Sequence, residues 1–89
     1  MSYALRLADE AKQGLTVLPF EIQEEVLDFL DEMTTETRIR SRPRRKSRDE
    51  FFDLAIVRDE KEYCVFVVVQ VDHRSQSIEV TRIGHVVRP

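Results

Sequence analysis

The stretch YCVFVVVQV, residues 63–71, is apolar at every position except Gln70. Side chains of a β-strand point alternately to two faces, so a strand of this composition must be covered on both of them. We therefore predict a strand in the middle of a sheet, with helices over one face and partial cover over the other.

Shorter strands are predicted on either side of this central stretch. Residues 3–7 and 52–56 carry large apolar side chains at every second position, which is typical of a strand with one buried face. Residues 78–83 form a last strand that we expect to end at Gly84, and polar turns at residues 58–61 and 72–77 separate the last three strands. The alternating apolar positions are Tyr3, Leu5, Leu7, Phe52, Leu54 and Ile56.

Between the first two strands, the apolar spacing changes to three and four residues, which is typical of helices. Pro19 separates two such stretches, because proline ends one helix and is accepted in the first turn of the next. The element order predicts an α+β fold, a small antiparallel or mixed four-stranded sheet with an N-terminal helical hairpin on one face (β-α-α-β-β-β). The apolar positions are Ala8, Ala11, Leu15 and Leu18 in the first helix, then Ile22, Val26, Phe29 or Leu30, and Met33 in the second.

The composition narrows the class of protein. With 89 residues, of which 42% are hydrophobic, we expect a single domain over residues 1–89. Cys64 is the only cysteine, so no disulfide can form within the chain and a reducing compartment is expected. We find no signal peptide and no membrane span, which predicts a soluble, cytoplasmic protein. Two unclustered histidines and two glycines predict no metal site, no phosphate-binding loop and no cofactor.

The basic charge is concentrated in one loop, predicted at residues 37–49. Half of the 14 lysines and arginines lie between residues 38 and 48, whereas the rest of the chain is acidic. Alternating arginines in an extended segment project to one side, which suits a nucleic-acid backbone. An acidic protein segment is the other ligand that we consider, and a solubilising linker is the alternative without a ligand. The predicted nucleic-acid-binding residues are Arg38, Arg40, Arg42, Arg44, Arg45, Lys46 and Arg48.

A few side chains near the ends of the predicted strands could act on a phosphodiester. His85 could be a general acid or base, since its ordinary pKa of about 6.5 allows both roles. Arg58 and Arg82 could contact a phosphate through two hydrogen bonds, and Tyr63 could stack on a base. Each has an alternative structural role: a hydrogen bond within the fold for His85, a solvated surface position for the arginines, and a core position for Tyr63.

The element order, the leucine-proline break between the helices, Tyr63 in the long strand and the sequence Ile83-Gly84-His85 resemble the RelE/ParE superfamily of bacterial toxins. The resemblance implies a toxin of a type II toxin–antitoxin pair, inhibited by a cognate antitoxin. It implies one of two activities, cleavage of mRNA in the ribosomal A site or inhibition of DNA gyrase. We expect the antitoxin to lie across the exposed face of the sheet, and the free toxin is a possible homodimer.

The chain departs from the ribonuclease branch of this superfamily at several positions. Cys64 follows the tyrosine where an arginine is usual, and Val86 follows the glycine-histidine where a basic residue is frequent. The second strand has no lysine between residues 53 and 56. Our first interpretation is a metal-independent endoribonuclease with His85, Arg82, Arg58 and Tyr63 nearest the chemistry. A non-enzymatic gyrase inhibitor, a catalytically silent relative and a nucleic-acid-binding module without toxicity remain as alternatives.

Overall fold

A computed structural model describes residues 3–34, 49–72 and 74–89 of the chain. The predicted basic loop at residues 37–49 lies outside the described residues except for Asp49, which is the first residue of a strand. The elements are β1 (Ala4–Leu7), α1 (Asp9–Thr16), α2 (Phe20–Met33), β2 (Asp49–Arg58), β3 (Lys61–Asp72) and β4 (Ser77–Arg88).

The four strands form one mixed sheet in the order β1-β4-β3-β2. β1 is parallel to β4, whereas the β2–β3 and β3–β4 pairs are antiparallel. β3 therefore lies inside the sheet, as its apolar composition predicts. The predicted α+β class, the helical hairpin and the four-stranded sheet are confirmed.

The end of the last strand differs from the prediction. β4 does not stop at Gly84 but continues to Arg88, where it pairs with Glu62 near the start of β3. Gly84 is accepted inside the strand because the ring of Phe66, on the neighbouring strand, occupies the space that a side chain at this position would fill. His85 consequently lies within β4 and not at the end of a strand.

The hydrophobic core lies between the helices and one face of the sheet. In β3, Val65, Val67 and Val69 alternate toward the helices and are almost completely buried. The predicted apolar positions of α2 are confirmed, because Ile22, Val26, Leu30 and Met33 are buried and Phe29 packs edge-to-face on Phe52 of β2. Complete burial of each such side chain contributes roughly 1.5–3 kcal/mol, so this layer supplies most of the driving force for folding.

Helix α1 begins where β1 leaves the sheet. The Ala8 amide donates to the carbonyl oxygen of Val80, the last residue of β4 that faces β1. From there α1 runs along the edge of β4, and Gly14 packs against the Ile83 carbonyl group so closely that a β-carbon would overlap it. Gly14 thus sets the distance between the helix and the sheet.

We expect Gly14→Ala to destabilise the protein by about 1–3 kcal/mol, because a new methyl group would collide with backbone atoms that cannot move independently. In an exposed helix the same substitution stabilises by roughly 1 kcal/mol, so the sign of the change is diagnostic. Urea denaturation measures the effect, with Gln13→Ala on the exposed side of α1 as the control. A higher unfolding midpoint for Gly14→Ala would contradict the close contact.

The turn between β2 and β3 contains two residues in the left-handed region of backbone space. Asp59 has φ 54° and Glu60 has φ 64°, and the flanking residues Arg58 and Lys61 pair directly. Positive φ at both central residues is the geometry of the tightest hairpin turns, and glycine or asparagine is the usual residue there. For a glutamate this conformation costs roughly 1–2 kcal/mol relative to the right-handed region.

Glu60→Gly should therefore stabilise the protein, by roughly 0.5–1 kcal/mol after the greater freedom of glycine in the unfolded chain is included. Glu60→Ala is the matched control, because it removes the carboxylate and keeps the β-carbon that causes the strain. Thermal unfolding followed by circular dichroism compares the two variants. An equal gain in both would show that charge, and not backbone conformation, is responsible.

Candidate functional site on the two faces of the sheet

On the helix-facing side of the sheet, Tyr63 and His85 lie close together. Their ring centroids are 6.4 Å apart and the rings are tilted by 34°. His85 pairs with Val65 across the β3–β4 ladder, two residues from Tyr63, so the two rings are diagonal neighbours on one face. Both side chains are partly exposed, so a ligand could reach them from solvent.

Arg58 lies on the same face, at the end of β2, and its guanidinium group is already bound. It donates to the carboxylate of Glu25 in α2 and, at 2.8 Å, to the carbonyl oxygen of Val57. The open groove beside this ion pair is lined by further carboxylates, those of Glu21, Glu24 and Asp28. An anionic ligand such as RNA would therefore meet repulsion here, and Arg58 would have to leave Glu25 before it contacted a phosphate.

Arg82 lies on the opposite face of the sheet from His85. It pairs with Val68 of β3, and its guanidinium group is 3.4 Å from the carboxylate of Glu10 in α1. The structure therefore brings Tyr63, His85 and Arg58 to one face, and it does not bring Arg82 to them.

A β-bulge determines this division. Val80 pairs with Val69 and Arg82 with Val68, which leaves Thr81 without a partner residue in β3. The Thr81 hydroxyl donates to the Val68 carbonyl oxygen at 3.2 Å. One extra residue reverses the alternation of the strand, so the residues beyond Thr81 face the opposite way from a regular continuation.

The face of the sheet opposite the helices carries an apolar surface, which we name the open-face patch. Along β2, Phe51 and Val57 expose 70% and 62% of their surface, and Val86 of β4 exposes 58%. None of the described helices packs on this face, because the buried residues of both helices belong to the core on the other side. The patch consists of Phe51, Ala55, Val57, Cys64, Phe66 and Val86.

Phe66 and Gly84 form the centre of the open-face patch. The two residues pair directly across the β3–β4 ladder, and three ring carbons of Phe66 occupy the place of a Gly84 side chain. An aromatic ring over a cross-strand glycine covers backbone that the glycine leaves exposed. The glycine of the sequence Ile83-Gly84-His85 thus has a packing role.

Residues at which the chain differs from the ribonuclease branch lie side by side in this patch. Ala55 pairs with Cys64, and Cys64 pairs with Val86, so the three side chains cross β2, β3 and β4 side by side. Cys64 and Val86, the two positions at which the resemblance led us to expect basic residues, are therefore neutral neighbours, and Ala55 beside Cys64 is neutral as well. Neutral side chains cannot stabilise the charge that develops on a reacting phosphate.

Charged residues of both signs lie on this face of the sheet: Asp53 pairs with Phe66, and Glu62 pairs with both Val57 and Arg88. Arg82 and Arg88 lie along β4, whereas Asp49 and Asp53 lie along β2. At the far end of β3, Asp72 accepts hydrogen bonds from the backbone amides of residues 75 and 74, and these bonds lower the pKa of its carboxyl group. The Asp72 carboxyl group therefore loses its negative charge only at a lower pH than an ordinary aspartate does.

Two solved structures have the same fold as this chain. A chain of the archaeal RelE–RelB complex from Pyrococcus horikoshii OT3 superposes with a TM-score of 0.60 at 19% identity, and the match covers 94% of both chains. A chain of the toxin–antitoxin complex RelBE2 from Mycobacterium tuberculosis gives a TM-score of 0.57 at 17% identity, covering 97% of this chain and 100% of that one. No protein-family model and no curated protein sequence matches. The similarity confirms the fold that the sequence resemblance implies.

Sequence reasoning missed two features of the site. The first is the ion pair between Glu25 of α2 and Arg58 of β2, because the spacing of residues along one helix does not show which strand its polar side meets. The open-face patch was also missed, although Phe51 and Val57 alternate out of phase with the buried residues of β2. The predicted nucleic-acid-binding residues between positions 38 and 48 lie outside the described part of the chain.

Two general searches of residues 3–34, 49–72 and 74–89 complete the description. No helix there is long and apolar enough to span a membrane. No group of three or more histidine, cysteine, aspartate or glutamate side chains in these ranges is arranged to hold a metal ion.

The contact between Phe66 and Gly84 predicts a reversal of sign in a double-mutant cycle. Gly84→Ala should destabilise the wild-type protein, because the new methyl group displaces the Phe66 ring. In a Phe66→Ala background the same change should stabilise by roughly 0.5–1 kcal/mol, since alanine loses less backbone freedom than glycine. Urea denaturation of the four proteins gives the coupling energy, expected between about 0.5 and 3 kcal/mol. Additive effects would show that the two residues do not interact.

Proposed function

We propose that this chain is the toxin of a type II toxin–antitoxin pair, acting in the cytoplasm and inhibited by a cognate antitoxin. The observation that carries the proposal is the match of the fold over nearly the whole length of chains from two such complexes. The Ile83-Gly84-His85 sequence, which is part of the sequence resemblance, supports it as well.

For its action on the cell, the first candidate is ribosome-dependent cleavage of mRNA without a metal. The closeness of Tyr63 and His85 supports this candidate, because a base stacked on the tyrosine would bring its ribose near the imidazole. His85 would then deprotonate the 2′-hydroxyl or protonate the leaving oxygen. The basic segment at residues 38–48 would hold the RNA backbone through salt-sensitive contacts.

The second candidate is a non-enzymatic toxin, such as a gyrase inhibitor, and one observation favours it. Cys64 and Val86 are neutral neighbours at positions where the resemblance implies basic residues, and Ala55 beside Cys64 is neutral too. Arg58 is bound to Glu25, and Arg82 lies on the opposite face from His85. Catalysis requires charges that converge on one phosphate, and the described residues offer no such convergence.

Mapping of mRNA ends separates the two candidates. Purified protein is added to a translating extract and to the same mRNA without ribosomes, and new 5′ ends are located by primer extension. The endoribonuclease proposal predicts ends that need ribosomes and that decrease at least tenfold in His85→Ala, since general acid–base catalysis contributes about 10²–10⁴ in rate. Lys12→Ala, on the exposed side of α1, is the control for handling and folding.

Growth of a bacterial host that expresses the protein separates the endoribonuclease proposal from the broader proposal that the chain is a toxin. Growth arrest in a bacterial host with intact mRNA, relieved by the protein encoded beside this chain, would exclude the endoribonuclease and retain the toxin. Supercoiling assays with gyrase would then test the second candidate directly. Normal growth at high expression of folded protein would contradict the toxin proposal itself.

A further inference from the structure

Within the described part of the chain, the edge strand β2 is unpaired along one side. It pairs there only with β3, through all ten residues of Asp49–Arg58 and without a bulge. Long edge strands are usually protected by proline, lysine, a bulge or a covering element, because their free amide and carbonyl groups accept another strand. β2 contains neither proline nor lysine. The other edge strand, β1, has only four residues, so β2 is the edge that can accept a strand.

The turn after β2 determines which of its backbone groups are free. Arg58 and Lys61 flank a two-residue turn, so they exchange both of their backbone hydrogen bonds with each other. From this pair the antiparallel ladder alternates, and the amide and carbonyl groups of every second residue point away from β3. An added strand would therefore bond to Phe51, Asp53, Ala55 and Val57.

Helix α2 follows this edge and gives it a negative charge. Glu25 contacts Arg58 at one end of β2, and Phe29 packs on a residue nearer the other end. The groove between α2 and the end of β2 is lined by four carboxylates and by Arg58, which Glu25 already binds. Residues 49–61 add five further carboxylates and, besides Arg58, one lysine. The whole edge is thus acidic, which favours a basic occupant.

We propose that β2 binds an extended peptide segment in which lysine or arginine alternates with aliphatic residues, added as a fifth strand antiparallel to β2. Side chains of such a strand point alternately to the two faces of the sheet. The basic side chains lie on the helix side, beside Glu24 and Asp28. The aliphatic side chains lie on the open side, beside the exposed Phe51 and Val57, and a small polar residue lies opposite Asp53.

A second copy of this chain fits the edge poorly. Pairing of two β2 strands would bring the acidic sides of two α2 helices toward each other, and like charges oppose this approach. The charge of the edge therefore disfavours self-association and leaves pairing with a basic strand. The inference uses only the edge of the sheet, so it does not rest on the proposed toxin function.

Hydrogen exchange measured by NMR tests the proposal, with the peptide Lys-Val-Lys-Val-Lys-Thr-Lys-Val added to the full chain. Binding should slow exchange of the four outward amides, those of Phe51, Asp53, Ala55 and Val57, at least about tenfold. Two altered peptides are the controls. One has glutamate in place of each lysine, and the other is methylated on the backbone nitrogens of its valines and threonine, which face β2. Neither should bind, because the first has the wrong charge and the second cannot donate hydrogen bonds to the strand.

Two variants of the protein test the backbone contact and the charge separately. The Ala55 amide points away from β3, so Ala55→Pro should keep the β2–β3 ladder and weaken peptide binding at least about tenfold. Circular dichroism checks its folding, and the methylated peptide tests the same bonds in the unchanged protein. Glu24→Lys should weaken binding of the lysine peptide about three- to tenfold and strengthen binding of the glutamate peptide. Asp9→Lys, an equal change of charge at an exposed position of α1, should affect neither.

Three outcomes would overturn the proposal. The first is no binding of the lysine peptide, or protection of amides other than the outward ones of β2. The second is equal binding of the methylated peptide, because the contact would then be electrostatic alone. The third is a dimer whose outward β2 amides are protected before peptide is added, which would assign the edge to a second copy.

Discussion

The register shift at Thr81 is the constraint on which the arrangement of both faces depends. Before the bulge, Ile78 and Val80 point into the core, and a regular strand would direct residue 82 there next. The unpaired Thr81 reverses the alternation, so that Ile83 becomes buried and Arg82 faces outward. The same reversal places His85 beside Tyr63 and Gly84 beneath Phe66. Without the bulge, an arginine would point into the core and an isoleucine into solvent.

α1 lies beside β4 beyond the point where β1 ends. β1 pairs with β4 only as far as Val80, and beyond that residue the edge of β4 is open to a neighbour. α1 follows β1 directly and contacts the edge at Ile83, where Gly14 allows the backbones to meet. The helix therefore takes the place beside β4 that a longer β1 would occupy.

Much of the fold could be predicted from the sequence, because apolar residues recur at every second position in the strands and at every third or fourth position in the helices. The apolar run at residues 63–71 predicted an interior strand, and the three- and four-residue spacing predicted both helices and the buried side of α2. The end of β4 could not be predicted in this way. Gly84 has the appearance of a strand terminator, and only its cross-strand partner Phe66 explains why the strand continues. Periodicity describes one strand at a time, whereas this glycine is accommodated by its neighbour.

The candidate site was harder to predict for a related physical reason. Residue types identified Tyr63, His85, Arg58 and Arg82. Whether these side chains lie on one face depends on which residues of β4 face the helices, and the bulge reverses that alternation. Sequence spacing also could not show that Glu25 binds Arg58. An arginine held by a helix carboxylate contributes little positive potential to the surface around it, and the surrounding carboxylates of α2 make that surface acidic.

The two faces of the sheet are thus suited to different partners. The helix side carries the Tyr63–His85 pair and the acidic groove beside Arg58. The negative charge of the groove favours a cationic ligand over a phosphate. The open face combines exposed apolar side chains with charges of both signs, including Asp53 opposite Phe66. Neither face, as described, has the dense positive charge that RNA binding requires. The sequence carries that charge at residues 38–48, and we propose that any action on nucleic acid depends on this segment more than on the sheet.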